Sequence, residues 1–136
     1  MIESQLIIKS KLENVSEARR WLGDLATRAS FEEEDIGSLK LVITEACSNI
    51  IRHAYKGEDG HEIIISAQVD DEKLALHIRD FGVKFDLSKY KEPSLDGSQE
   101  GGYGIFLIHS LMDSVEYDTS AEVGTTLKLV KLRGST

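Results

Sequence analysis

Residues 45–55 read EACSNIIRHAY, and two glycine-bearing turns follow in order, Asp80-Phe81-Gly82 and Gly101-Gly102-Tyr103-Gly104. The first stretch belongs to a longer pattern. Between residues 32 and 55, Ile36, Leu39, Ile43, Ala46 and Ile50 recur at steps of three and four, the spacing that gathers apolar side chains into the stripe of a long amphipathic helix. At about 100° per residue, Glu45 and Asn49 fall on one side of that stripe, with His53 one turn further on. Carboxylate, amide and imidazole thus form a polar column beside the core. Standing alone, such a column is most often a solvated helix flank, so its meaning depends on what surrounds it.

Working outward, the hydrophobic period changes in an orderly way. Residues 4–10 (SQLIIKS) have the length and apolar content of an edge strand. Asn14 is the expected N-cap of a first helix carrying Val15, Ala18, Leu22 and Leu25 at helical spacing. Gly57 to Gly60 end the long helix. Residues 61–69 and 73–80 alternate as strands, with Asp70-Asp71 as the hairpin signal. Residues 81–100 are polar, contain Pro93 and Gly97 and keep no period, which is long for a connection in a small domain and typical of a lid. A short apolar helix follows Gly104 (Ile105, Leu107, Ile108, Leu111), then strands at about 113–119 and 124–132 joined through Ser120 to Gly124. Strands gathered into hairpins, with helices that must cover one face, predict an α+β fold, a two-layer α/β sandwich forming a single domain over residues 1–136.

Composition narrows the chemistry. The 136 residues include 16 Lys and Arg against 24 Asp and Glu, a net charge of −8, and the cations are dispersed rather than gathered in a stripe. Direct nucleic-acid binding is therefore disfavoured. No apolar run approaches the roughly 20 residues that cross a bilayer, so no membrane span is expected. The opening MIESQLIIKSKLEN lacks the layout of a secretory signal, and a cytoplasmic location is expected. Cys47, the single cysteine, excludes an intrachain disulfide and sits among apolar helix positions, where burial is expected. There is no GxxxxGK[ST], and the four histidines show no zinc spacing; His61, His77 and His109 read as surface or strand-filling residues. Ser48 has no evident base and acid to make a nucleophilic triad.

Asp80 closes a strand two residues before Gly82, whose missing Cβ admits close approach of another group. A carboxylate there can accept from an amino group such as the exocyclic amine of adenine, or it can bond its own turn. Gly101 to Gly104 precede an apolar helix, so free N–H groups and the positive end of the helix dipole face whatever lies ahead, which suits a triphosphate; the alternative is a hinge. An Asn oxygen suits hydrated Mg²⁺, and a Glu can orient or deprotonate a hydroxyl.

Glu45, Asn49 and His53-Ala54-Tyr55, then Asp80-Phe81-Gly82, then Gly102-Tyr103-Gly104, then Gly124-Thr125-Thr126 resemble the N box, the two glycine boxes and the closing Gly-Thr strand of the histidine-kinase-like ATPase superfamily. Within it the chain is similar to the small bacterial anti-sigma factors that are serine/threonine kinases. The resemblance runs from the first strand to the last and implies a mixed, mostly antiparallel sheet covered on one face by helices. It also implies that Asn49 binds Mg²⁺, Asp80 contacts the adenine amine of ATP, Gly82 leaves room for the base, Gly102 and Gly104 cradle phosphates, His53 lies near them, and Thr125 supports the adenine end. Glu45 would be the general base for a Ser or Thr hydroxyl, and Arg19 would dock partners, namely a sigma factor and an anti-anti-sigma protein; a homodimer through the sheet is a further expectation. The pattern departs at Lys84, where the family often has a second glycine, and residues 83–100 lack an evident phosphate clamp. The alternative function is a non-catalytic ATP-binding partner-switch module.

Overall fold

A computed structural model describes residues 1–89 and 103–134. Strand β1 (Ile2–Lys9) leads through a short 3₁₀ turn into helix α1 (Val15–Arg28) and then α2 (Glu33–Asn49). The hairpin β2 (Glu62–Val69) and β3 (Lys73–Asp80) follows, and after the interval outside the described residues come α3 (Tyr103–Leu111), β4 (Ser114–Asp118) and β5 (Thr125–Leu132). The sheet order is β1-β2-β3-β5-β4.

All four pairings are antiparallel, so the described sheet lacks the parallel pair that a mixed sheet would contain. The reason is topological. Two helices between β1 and β2 bring the chain back to the end it left, which forces the neighbour to run the other way. The single crossover through α3 does return β4 in the direction of β3, but β5 inserts between them and converts what would be a parallel contact into two antiparallel ones.

Helices cover one face. Ile63, Ile65, Ala67 and Val69 of β2, Leu74, Leu76 and Ile78 of β3 and Leu127 and Leu129 of β5 point inward at the two-residue period and are buried. They meet Val15, Ala18, Leu22 and Leu25 of α1 and Leu39, Ile43 and Ala46 of α2, the expected stripes, with Ile36 only half-buried. Cys47 is fully buried, and burial pushes its thiol up to about 12. His61, His77 and His109 are exposed. No described helix is long and apolar enough to cross a membrane.

Two local expectations change. Asn14 is not a side-chain N-cap, because the 3₁₀ turn Leu12–Asn14 runs directly into α1 and gives Asn14 near-helical dihedrals (φ −81°, ψ −11°). Its amide donates back to the Lys9 carbonyl instead (3.2 Å). The long helix also does not end as a plain α-helix: Ile50–Ala54 widen into a π turn, closed by the Tyr55 N–H on the Ile50 carbonyl at 2.9 Å. Such turns are rare and concentrate at functional sites.

One buried ion pair went unread in the sequence. Lys131 takes an inward position on β5, 1% exposed, with its Nζ 3.8 Å from Asp35 Oδ1 at the start of α2 and donating to the Leu111 carbonyl at the end of α3 (3.1 Å). Asp35 Oδ2 in turn accepts from the Gly134 N–H (2.9 Å). Removing one member strands the other charge in the core, so Lys131→Ala is expected to lower stability by about 3–5 kcal/mol in urea unfolding.

Candidate functional site

The open end of the sandwich holds a cavity of about 710 Å³ between α2, the end of β3, the start of α3 and β5. That size lies within the range of small-molecule sites. Its walls explain why the polar column escapes the core: the apolar stripe of α2 faces the sheet, and the next flank of the helix, carrying Glu45, Asn49 and His53, is left to line the cavity. Glu45 and Asn49 are half-buried and His53 is exposed.

The first turn of α3 comes close to that flank. A Cβ added at Gly104 would stand 2.8 Å from Glu45 Oε2 and 3.3 Å from Asn49 Nδ2, so a side chain at this position would press on both. Gly102 lies outside the described residues.

At the other end, Asp80 is 3% exposed and faces the cavity. Burial raises its carboxyl above the ordinary 3.8, while N–H donors from Gly82 and Thr125 and the Arg79 charge act against that rise. The Gly82 N–H reaches Asp80 Oδ1 at 3.0 Å, and the Thr125 hydroxyl oxygen accepts from the Phe85 N–H at 3.0 Å, so Thr125 ties the loop after β3 to β5. The space left by the missing side chain of Gly82 opens toward Ala54: a Cβ there would collide with the Ala54 carbonyl oxygen. On the opposite side, Gly124 at φ 78° has its Cβ position on the Asp80 carbonyl. The backbone at the end of β3 is therefore gripped from both sides.

Several lining residues carried no legible sign in the sequence. Phe85 stacks on Tyr117 with ring centroids 4.0 Å apart and planes 17° from parallel, forming an apolar wall near Asp80 from residues 32 positions apart. Only the inward parity of Tyr117 on β4 hinted at it. Arg52 also lines the cavity, as does Lys84, whose ammonium donates to the Thr119 carbonyl (2.9 Å) and brings a positive charge to this rim. Arg19 stands apart, in a groove of about 290 Å³ between α1 and α2 with Arg20, Lys40 and Asp24, its guanidinium donating to Thr44 Oγ1 at 3.3 Å.

The family model of the histidine kinase-like ATPase domain matches residues 8–131, a span that holds every element lining this cavity. The chain belongs to that family. Among its relatives are serine-protein kinases: it is similar to the serine-protein kinase RsbW of Listeria monocytogenes serotype 4a (strain HCC23), 37% identical over 131 residues, covering 89% of this chain and 83% of the relative. The RsbW protein of Bacillus pumilus (strain SAFR-032) is 34% identical over 137 residues, covering 93% of this chain and 83% of the relative. The crystal structure of the RsbU and RsbW domains of Rv1364c from Mycobacterium tuberculosis shares the fold, with a TM-score of 0.70 at 16% identity over 97% of this chain, which spans 33% of that longer one.

Asp80 has a consequence for stability. Its raised carboxyl means that the folded state binds the proton more tightly than the unfolded chain does, so the associated stability is complete below 3.8 and is lost as pH rises through the raised value. Without nucleotide, wild type is expected to lose melting temperature relative to Asp80→Asn as the pH rises above 3.8, measured by scanning calorimetry across acid to neutral buffers.

Proposed function

We propose that this chain is a protein kinase that uses ATP and Mg²⁺ to phosphorylate a Ser or Thr of an anti-anti-sigma protein, and that it sequesters a sigma factor in alternation with that substrate. The observation that carries the reading is the joining of Glu45, Asn49, Gly104, Asp80 and Thr125 around one cavity. The buried Asp80 carboxylate accepts from the adenine amine, and a guanine, with a carbonyl oxygen at that place, meets a second acceptor. The Phe85–Tyr117 wall offers the base an apolar surface. The first N–H groups of α3 face the phosphates, and Gly104, bearing no side chain of its own, lets that turn approach Glu45 and Asn49.

Among the described residues no three of His, Cys, Asp and Glu gather as a metal cage. The donors present, the Asn49 amide oxygen with Glu45 beside it, fit a hydrated Mg²⁺ that takes its remaining contacts from phosphates and water. When bound, the ion neutralises charge on the transferring phosphoryl group. Glu45 orients the incoming hydroxyl and accepts its proton as the hydroxyl oxygen bonds to the γ-phosphorus and the bond to ADP breaks. His53, Arg52 and Lys84 supply positive or donor character along the cavity in a chain of net charge −8.

Glu45→Gln is expected to keep ATP affinity while phosphoryl transfer to the partner falls about 10²–10⁴-fold in a radiolabel assay. Asn49→Ala is expected to abolish the Mg²⁺ dependence of ATP binding in calorimetry. Wild-type protein that binds its partner in an ATP-dependent way yet transfers no phosphate would identify a partner-switch module without catalysis.

The Arg19 groove is the proposed docking face. It presents three cations within one concave surface on α1 and the first half of α2, and none of its residues lines the nucleotide cavity. Among the described residues β1 is an edge strand with its outer side unpaired, and Ile7 is 48% exposed on the face away from the helices; a second copy meeting at β1 forms the proposed dimer. Light scattering is expected to give twice the monomer mass at micromolar concentration. Arg19→Ala is expected to lose partner binding in pull-downs while ATP affinity stays intact.

A further inference from the structure

Tyr55 is 4% exposed and carries a hydroxyl, so its oxygen must be satisfied within the protein. It is satisfied twice: it donates to the Glu62 carbonyl and accepts from the Phe81 N–H at 2.8 Å. Phe81 directly follows Asp80, whose pairing with Thr125 is the last of the β3–β5 ladder. The phenol therefore takes up the chain at the point where the ladder releases it. Two residues on, the Val83 N–H donates to the Ala54 carbonyl at 2.8 Å, and Gly82 between them rests on the Ala54 backbone. Consecutive residues at the end of α2 thus hold alternate residues of the turn.

The irregular helix end makes this reach possible. Ordinary α-helical closure would place the Tyr55 N–H on the Ile51 carbonyl; the π turn places it on Ile50 and changes the direction in which the side chain leaves the helix. The ring is then fixed by stacking on His61, with centroids 4.6 Å apart and planes 13° from parallel. Burial holds the phenol above its ordinary 10.0, so it keeps the proton that it donates to Glu62.

We propose that Tyr55 is a positioning residue for reading the nucleobase: from the π end of α2 its hydroxyl holds the Phe81 N–H, and so orients the Asp80 carboxylate toward the base. Tyr55 is not among the cavity walls, and it acts through Asp80. The inference rests on the reading that Asp80 contacts the amine of ATP. It also links the two ends of the site, since the helix that carries Asn49 continues into the segment that holds Asp80.

Calorimetry of ATP and GTP binding to wild type, Tyr55→Phe, Asp80→Asn and the double variant tests it. Tyr55→Phe removes both hydrogen bonds of the hydroxyl, of which the one from the Phe81 N–H bears on Asp80, and is expected to weaken ATP about tenfold, the scale of that one bond, and to narrow the preference for ATP over GTP. In the Asp80→Asn background the same change is expected to add less than about twofold, because the group it positions is gone. A weakening that is equal for ATP and GTP, or that multiplies fully in the double variant, overturns the proposal and leaves the base assignment standing. An Asp80→Asn protein with undiminished ATP affinity overturns both. Hydrogen exchange on the wild type supplies a measurement that does not depend on a variant folding: the Phe81 amide is expected to be protected without nucleotide, and free exchange there overturns the proposal.

Discussion

Where β3 ends, main chain packs directly on main chain, with Ala54 on one side of the Asp80–Gly82 turn and Gly124 on the other, at distances that leave no room for a Cβ. The Asp80 end of the cavity depends on this contact. It sets how far the turn stands from α2, and therefore the width of the cavity between Asp80 and the Glu45–Asn49 flank. Side chains at Gly82 or Gly124 would force the turn away, and in a close-packed interior such a displacement spreads to its neighbours. Hydrogen bonds from Phe81, Gly82, Val83 and Phe85 then hold the gripped backbone in one conformation.

Holding a carboxylate in so enclosed a place opposes the stability of the empty protein. Asp80 is buried enough for its charged form to be disfavoured, and the donors around it offset only part of that penalty. A ligand that donates to the carboxylate relieves it. In the proposed role of Asp80, binding specificity and a local deficit in stability are thus two aspects of one arrangement, a common relation at functional sites. The Lys131–Asp35 pair occupies the other end of α2 and joins it to β5 and to the close of α3. α2 is thereby tied at its start to the helix whose first turn faces its polar flank, and at its π end to the turn that carries Asp80.

The acidic balance of the chain is compatible with an anionic nucleotide because charge is local. Arg52 and Lys84 stand on the cavity and offset part of the charge of Glu45, Asp80 and Asp86 there, and the N–H groups at the head of α3 add partial positive charge without changing the net count. The three cations of the Arg19 groove lie on α1 and α2, away from this cluster. The cavity and the Arg19 groove thus share α2 alone and have no lining residue in common.

The sequence by itself determined the elements, their inward faces and the polar residues that come to line the cavity. Leu39, Ile43 and Ala46 on one stripe place Glu45 and Asn49 on its flank whatever the helix packs against, and the alternation through Leu74, Leu76 and Ile78 carries inward parity on to Asp80. Both are local periodicities, and local geometry propagates them without knowledge of the partner. Only the tertiary structure decided what those faces meet. The insertion of β5 between β3 and β4, the stack of Phe85 on Tyr117, the burial of Lys131 against Asp35 and the opening of Gly82 toward Ala54 join residues distant in the chain, so no local spacing encodes them. The π turn at Ile50–Ala54 belongs to the same group. It widens a helix whose pattern continues unbroken, and its end is held by the Glu62 carbonyl and the Phe81 amide, groups that only the assembled sheet brings to Tyr55.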